Sequence, residues 1–233
     1  MHVPDGFFDA PVSVGAGVVA AAGLGLCLRS ARRELDDRTA PLAGLVAAFV
    51  FAAQMINFPI GAGTSGHLMG GALAAVLVGP YTGVLCIAVV LLVQILFADG
   101  GITAYGINVT LMALVGVLVG YGVFRLVTAV LPTRRSTVTA ASFLGAALSV
   151  PASALVFVGL FAIGGTAELS LGAVAAAMVG VHLLIGLGEG LITAVTVGGV
   201  AAVRPDLVYG LRDAGRPLEI REPRTTGPQT SGA

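Results

Sequence analysis

Most of this chain divides into seven apolar segments, and nearly all charged residues lie in the stretches that separate or follow them. A helix that crosses the hydrocarbon core of a membrane needs about 20 apolar residues. Charged residues make up only 10% of the chain, whereas an ordinary soluble domain has roughly 25%. The sequence therefore predicts an all-α membrane protein, a bundle of about seven transmembrane helices. The apolar segments cover residues 11–28, 41–58, 68–79, 82–98, 106–131, 138–163 and 171–203.

The chain is expected to form one membrane domain, residues 1–203, followed by a polar cytoplasmic tail. The tail, residues 204–233, has the charged and Pro/Gly-rich composition of disordered segments. The net charge is zero, so a nucleic-acid partner is not indicated. Cys27 and Cys86 both lie in apolar segments and are expected to be small packing residues, not a disulfide or a metal site.

The distribution of arginine predicts the orientation in the membrane. All twelve basic residues are arginines, and cytoplasmic loops are enriched in Lys and Arg. With the N-terminus outside and seven crossings, every arginine falls on the inner side, within residues 29–38, 125–135 and 204–224. Counting residues 68–98 as one crossing would instead place Arg134 and Arg135 outside. We therefore expect a plasma-membrane protein with its N-terminus outside and its C-terminus in the cytoplasm. The charged residues of the outer stretches are all acidic, namely Asp5, Asp9, Asp99 and Glu168.

The third apolar segment is too short to cross a membrane unaided. Its length of about 18 Å falls well below the roughly 30 Å of a hydrocarbon core, and Pro80 ends it at the inner side. Its outer end, at His67, should therefore lie below the outer surface, where the irregular loop "NFPIGAGTSG" reaches it. Irregular backbone at that depth is tolerated only inside protein or along a cavity. His67 is thus predicted at the start of a helix inside the bundle, beside a re-entrant loop.

The chain opens with "MHVPDGF", which predicts a chelating N-terminus. A bulky second residue opposes removal of Met1, so its amine is expected to be free. That amine, the His2 amide nitrogen and His2 Nδ1 can close fused five- and six-membered rings around one ion. Such a near-planar nitrogen set suits Ni(II), Cu(II) and related Co(II) geometry, and His67 could supply a fourth nitrogen. The alternatives are a solvated His2 and a neutral His67 hydrogen-bonded between helices.

Other polar residues in the apolar segments are expected to support such a site. His182 and Glu189 stand seven residues apart on the last segment and so share one helix face. They could line one polar cavity or satisfy separate buried networks, and direct binding of a metal is the less favoured role. Further buried polar residues, expected to link helices or support the ligands, are Gln54, Asn57, Gln94 and Asn108.

Several motifs of enzymes are absent from the sequence. Without lysine there is no G-x-x-x-x-G-K-[ST] loop, so any ATP hydrolysis must come from a partner. No G-x-S-x-G or H-E-x-x-H occurs either, so these enzyme motifs are missing. A membrane metalloenzyme that uses the same histidines is one hypothesis, and it would need a nearby acid or base such as Glu189. An autonomous metal channel or secondary transporter is another.

Four motifs together resemble one family. "MHVPDGF", "GTSGHLMGGALAAVLVGP", "ADGGITAYGINV" and "HLLIGLGEGLIT" are similar to those of the CbiM/NikM family, the substrate-binding membrane subunits of energy-coupling factor transporters for cobalt and nickel. The likeness covers most of residues 1–203, although "YGINVTLM" departs from the small residues and aromatic that the family tends to have there. It implies a seven-helix bundle with an inward-tucked N-terminal segment.

The resemblance also implies ligands, cargo and partners. The family's ligand set, carried over, is the amine of Met1, the amide and imidazole of His2, and the imidazole of His67. It implies an ATP-driven importer with no cofactor beyond the transported Co(II) or Ni(II). The implied partners are a transmembrane coupling subunit, cytoplasmic ATPase subunits and a small accessory membrane subunit, within a lipid bilayer. Planar chelation favours nickel, but the family uses nearly the same ligands for both ions.

The predicted orientation can be tested by labelling single cysteines in intact cells. In a background without Cys27 and Cys86, cysteines at Asp37 and Thr225 are expected to resist a membrane-impermeant thiol reagent, because both positions lie among arginines. A cysteine at Glu168 is the control that should react. Labelling of position 37 or 225 before permeabilisation would contradict the seven-crossing arrangement.

Overall fold

The computed structural model describes residues 1–37, 39–56, 58–61, 64–132 and 134–214. Its main elements within these residues are seven helices and one strand pair. This is the predicted all-α membrane fold. Four helices are long and apolar enough to span a membrane (α1, α5, α6 and α7), whereas α2 and α4 are shorter. The number of crossings stays a prediction. The helices are α1 (Ala10–Ser30), α2 (Thr39–Gln54), α3 (Gly71–Val78), α4 (Pro80–Ile95), α5 (Tyr105–Val130), α6 (Arg135–Gly164) and α7 (Leu171–Val203).

Helix α3 forms the centre of the bundle. All eight of its residues are buried, and at about 12 Å it is far shorter than a membrane. Glycines let its neighbours approach closely: a Cβ on Gly120 of α5 would lie 2.6 Å from the Ala72 side chain, and one on Gly83 of α4 would lie 3.0 Å from the Ala75 backbone. Cys27 and Cys86 are free and buried, and their burial agrees with the predicted role as small packing residues.

The segment that leads into α3 differs from the prediction in two ways. The predicted irregular loop contains an antiparallel strand pair, β1 (Phe58–Gly61) and β2 (Thr64–Gly66). Helix α3 begins at Gly71 and not at His67. The reason is that Gly70 adopts a left-handed conformation, with φ of 74°, which ends any helix approaching from the N-terminal side. His67 is 1% exposed, so its predicted burial is confirmed.

A buried glutamate satisfies the backbone at the other end of α3. Gly79 turns the chain with φ of 98°, and Pro80 begins α4. The Glu34 carboxylate accepts hydrogen bonds from the amide nitrogens of Tyr81 (3.2 Å) and Thr82 (2.7 Å). These amides belong to the first turn of α4, where a helix has no backbone partners of its own. Glu34 therefore caps α4 from the segment that follows α1.

The arginine-bearing stretches meet at one end of the bundle. Arg212 donates to the Glu34 carbonyl oxygen (3.1 Å) and the Asp36 carboxylate (3.2 Å), and Arg135 donates to the Ala202 carbonyl oxygen (3.4 Å). The first residues of the predicted tail form two 3₁₀ turns, Pro205–Leu207 and Tyr209–Ala214, so the packed chain continues past residue 203. Residues 215–233 lie outside the described residues, and their disorder stays a prediction.

Candidate metal centre

The first three residues lie inside the bundle and not in solvent. Met1 is 1% exposed, His2 is 4% exposed and Val3 is completely buried. The segment has almost no regular secondary structure, so side chains and loops must satisfy its backbone. Its position therefore depends on a specific set of hydrogen bonds.

Asn108 on α5 holds the backbone next to His2. Its Oδ1 accepts from the Val3 amide nitrogen (2.8 Å), and its Nδ2 donates to the Val3 carbonyl oxygen (3.2 Å). The Gly101 amide donates to the same carbonyl oxygen at 2.9 Å. A π-helical turn follows at Val109–Val115, a feature that occurs often at functional sites. Asn108 thus acts on this segment as a neighbouring strand would.

The outer part of the segment is tied to two further loops. The Asp5 carboxylate accepts from the Thr103 amide nitrogen (2.7 Å) and from its hydroxyl group, and these bonds lower the pKa of Asp5. On the other side, the Thr166 amide donates to the Phe7 carbonyl oxygen (3.1 Å), and the Asp9 amide donates to the Gly164 carbonyl oxygen (2.8 Å). The segment is therefore secured from both sides, as the inward-tucked terminus expected from the family resemblance requires.

The two ring nitrogens of His2 meet different partners. Nε2 lies 3.0 Å from Gln94 Oε1 on α4, and an amide oxygen can only accept a hydrogen bond. The other ring nitrogen, Nδ1, also faces an acceptor. The Asp99 carboxylate lies 3.0 Å from that Nδ1. The ring nitrogen predicted to chelate thus faces a negative charge that favours a cation.

His67 stacks on His2. The ring centroids are 4.3 Å apart and the ring planes are inclined by 20°. His67 Nδ1 lies 2.7 Å from the Leu68 carbonyl oxygen, so Nδ1 carries the proton and Nε2 keeps the lone pair. That Nε2 is buried and has no hydrogen-bond partner in the described part of the chain. A buried acceptor without a partner is costly, so this nitrogen is available to a ligand.

The amine of Met1 is suited to bind a metal in its neutral form. Burial lowers its pKa to about 4, and the nearby Asp99 carboxylate opposes that shift. At neutral pH the amine therefore carries a lone pair and no proton that a metal would have to displace.

His182 and Glu189 have different hydrogen-bond partners, and whether both line one polar cavity stays a prediction. His182 Nδ1 lies 2.7 Å from the Met178 carbonyl oxygen of its own helix, and its buried Nε2 has no partner among the described residues. The Glu189 carboxylate instead accepts from the amide nitrogens of Met69 and Gly70. Asn57, the remaining predicted supporting residue, lies outside the described residues.

The donors fit a nitrogen-bound metal, provided that one ring turns. No three His, Cys, Asp or Glu side chains of the described residues form a metal-binding group, so the set requires the terminal amine and the amide nitrogen of His2. A metal lies in the plane of each imidazole that binds it. Two nearly parallel rings 4.3 Å apart therefore cannot bind one ion as they stand. Binding of a common ion by both imidazoles would require one of the two rings to rotate.

The sequence predicts Asp99 to be one of several outer acids and Gln94 to link helices. The structure places both against the ring of His2, with the Asp99 side chain 14% exposed. The available signal was the "ADGG" stretch at the end of an apolar segment. There Ala98 and Gly100 have positive φ values of 57° and 114°, and this tight turn directs Asp99 inwards.

Comparison with known proteins agrees with this architecture. Residues 2–207 match the model of the CbiM family, described as the cobalt uptake substrate-specific transmembrane region. A putative metal transport protein of Haloquadratum walsbyi is 42% identical over 90% of this chain and 94% of its own length. A putative fused nickel transport protein, NikMN, of Archaeoglobus fulgidus is 43% identical over 89% of this chain and 68% of its own length.

A solved structure has the same fold. The crystal structure of a truncated transition metal transporter superposes with a TM-score of 0.79 and 28% identity, and the match covers 87% of this chain and 99% of that one. The family match spans the N-terminal segment, the bundle and the first 3₁₀ turn after it. The chain therefore belongs to the CbiM family and is a membrane component of metal uptake, not an enzyme.

Proposed function

We propose that this protein captures Co(II) or Ni(II) outside the cell for an energy-coupling factor importer. The ion is held by the amine of Met1, the amide nitrogen and Nδ1 of His2, and Nε2 of His67. One observation carries this proposal: Nε2 of buried His67 has no hydrogen-bond partner among the described residues and lies in a ring stacked on that of His2. The names of the relatives, which include nickel and metal transport proteins, support the cargo.

Charge in the pocket suits a dication. A buried cation is unfavourable unless negative groups offset it. The Asp99 carboxylate supplies one negative charge at 3.0 Å from His2 Nδ1, and loss of the His2 amide proton on chelation supplies a second. If the His2 ring rotates, it gives up its stacking contact with His67, and its Nδ1 coordinates the ion. Capture therefore releases a proton and leaves a site close to neutral.

Release to the cytoplasm requires work from partner subunits. The chain lacks lysine and so lacks a P-loop, and the fused NikMN relative supports partnership with further components. We propose that ATPase subunits, acting through a transmembrane coupling subunit, reorient the bundle. In this proposal the N-terminal segment lies on the outer side of the membrane. The arginine-bearing end, where Arg212 contacts Asp36, lies in the cytoplasm.

His67→Ala is expected to weaken nickel and cobalt binding by at least about 100-fold, since losing a ligand should exceed the ~10–100-fold cost of losing a group behind a ligand. Isothermal titration of the purified full chain with each metal measures this. Phe124→Ala is the control, because Phe124 is completely buried and lies against Gly210 at the far end of the bundle. Wild-type affinity in His67→Ala would rule out the four-nitrogen site.

A two-residue extension before Met1 is expected to abolish retention of nickel and cobalt. The extension converts the amine into a weakly donating amide, and Met1 at 1% exposure has no space for added residues. Metal content after gel filtration measures the effect. Proteolytic release of the authentic Met1 should restore binding, and the same extension after Ala233 should leave it intact. Tight binding by the extended form would exclude the amine as a ligand.

Uptake of radioactive nickel or cobalt by cells is expected to require partner ATPases with intact ATP-hydrolysing residues. The chain expressed with its coupling subunit and inactive ATPases should bind metal but not accumulate it. Uptake by the chain alone would instead favour an autonomous channel or secondary transporter.

A further inference from the structure

We infer that Glu189 is a positioning residue for metal binding: through the backbone of residues 69 and 70, it holds the segment that presents His67. This inference rests on the proposed function, because it assigns Glu189 a role only through the ligand His67.

The side-chain hydrogen bonds of Glu189 among the described residues all go to that segment. Oε2 accepts from the Met69 amide nitrogen at 2.7 Å, and Oε1 accepts from the Gly70 amide nitrogen at 2.9 Å. The side chain is 1% exposed and belongs to α7. Each carboxyl oxygen therefore has one backbone donor, and the bonds join α7 to a chain segment about 120 residues away.

The His67 segment depends on such side chains for its position. The amide nitrogens of Met69 and Gly70 bond to Glu189, and the Met69 carbonyl oxygen accepts from Gln54 Nε2 at 2.7 Å. The Leu68 carbonyl oxygen faces His67 Nδ1 at 2.7 Å. Gly70 lies in the left-handed region, so helical hydrogen bonds do not extend back to His67. Two helices, α2 and α7, thus set where the His67 ring lies.

This arrangement links the last helix to a metal ligand. The ring orientation of His67 follows from its bond to Leu68, and the position of Leu68 follows from the anchored Met69. A displacement of α7 against α3 would therefore move Nε2 of His67 relative to Met1 and His2. Loss of a group that orients a metal ligand without binding the metal typically lowers metal affinity by about 10–100-fold. Glu189 is placed to provide such control without touching the ion.

The same chain offers a matched control at the opposite end of α3. Glu34 is 2% exposed and also accepts two backbone amide hydrogens, from Tyr81 and Thr82. It has no contact with the His67 segment among the bonds described. Glu34→Gln and Glu189→Gln therefore make the same chemical change, which turns one acceptor oxygen towards a donor amide group. They differ in whether a metal ligand lies next to the backbone that is released.

The test compares nickel binding by the purified wild-type chain, Glu189→Gln and Glu34→Gln. Isothermal titration with NiCl₂ is combined with the ligand-field absorption of bound Ni(II) and with thermal unfolding in the absence of metal. We expect Glu189→Gln to bind nickel about 10–100-fold more weakly and to shift the absorption band. Glu34→Gln is expected to lose comparable thermal stability while its affinity and spectrum stay at the wild-type values.

Unchanged affinity and spectrum in Glu189→Gln would overturn the inference, and so would equal losses of affinity in both variants. If Glu189→Gln does not fold, Glu189→Asp replaces it: this variant keeps the carboxylate but retracts it from the Met69 and Gly70 amides. Wild-type affinity and spectrum in Glu189→Asp would likewise overturn the positioning role. If the wild-type chain binds only cobalt, the same comparison is made with CoCl₂. Absence of binding of both metals by the wild-type chain would instead overturn the proposed function on which the inference rests.

Discussion

The structure depends on satisfying backbone amides that lie inside the bundle, at the two ends of a short buried helix. An unpaired amide away from water costs several kcal/mol. Helix α3 is followed at once by α4 and preceded by a left-handed glycine, so the chain exposes helix ends where a continuous helix would have none. Two buried glutamates solve this problem. The Glu189 carboxylate accepts hydrogen bonds from the amides of Met69 and Gly70. The Glu34 carboxylate accepts them from the amides of Tyr81 and Thr82.

The candidate metal centre exists because the chain is irregular at that depth. In a continuous helix through residues 67–70, the backbone groups would hydrogen-bond to one another. No segment anchored by side chains would then be left to position the His67 imidazole. The N-terminal segment is similar, since Asn108, Gly101 and Thr103 supply its hydrogen bonds in place of a strand or helix. These hydrogen bonds allow the segment to lie deep in the protein without regular secondary structure.

Part of the site could be predicted from the sequence and part could not. The burial of His67 followed from the length of one apolar segment, and the chelating potential of Met1 and His2 followed from covalent geometry. The role of Gln94 did not follow, because its contact with His2 joins residues 92 positions apart. Asp99 gave no signal of its own beyond neighbouring glycines. The start of α3 was misplaced because the left-handed turn at Gly70 outweighs the apolar pattern around it.

Apolar segments partition into the membrane and arginines stay on its cytoplasmic side, wherever the other helices lie. The sequence alone therefore determined the fold class, the approximate helices and the stretches that share one end of the bundle. Donor chemistry is likewise a property of residue type, and position in the chain singled out His2 and His67 from the three histidines as candidate ligands. The tertiary structure decided which groups meet: that the two imidazoles stack, that Asp99 faces one of them, and that Glu189 holds the backbone beside the other. These contacts depend on how helices distant in sequence pack around α3. Packing direction is set by the shapes of all the helices together, and no local pattern encodes it.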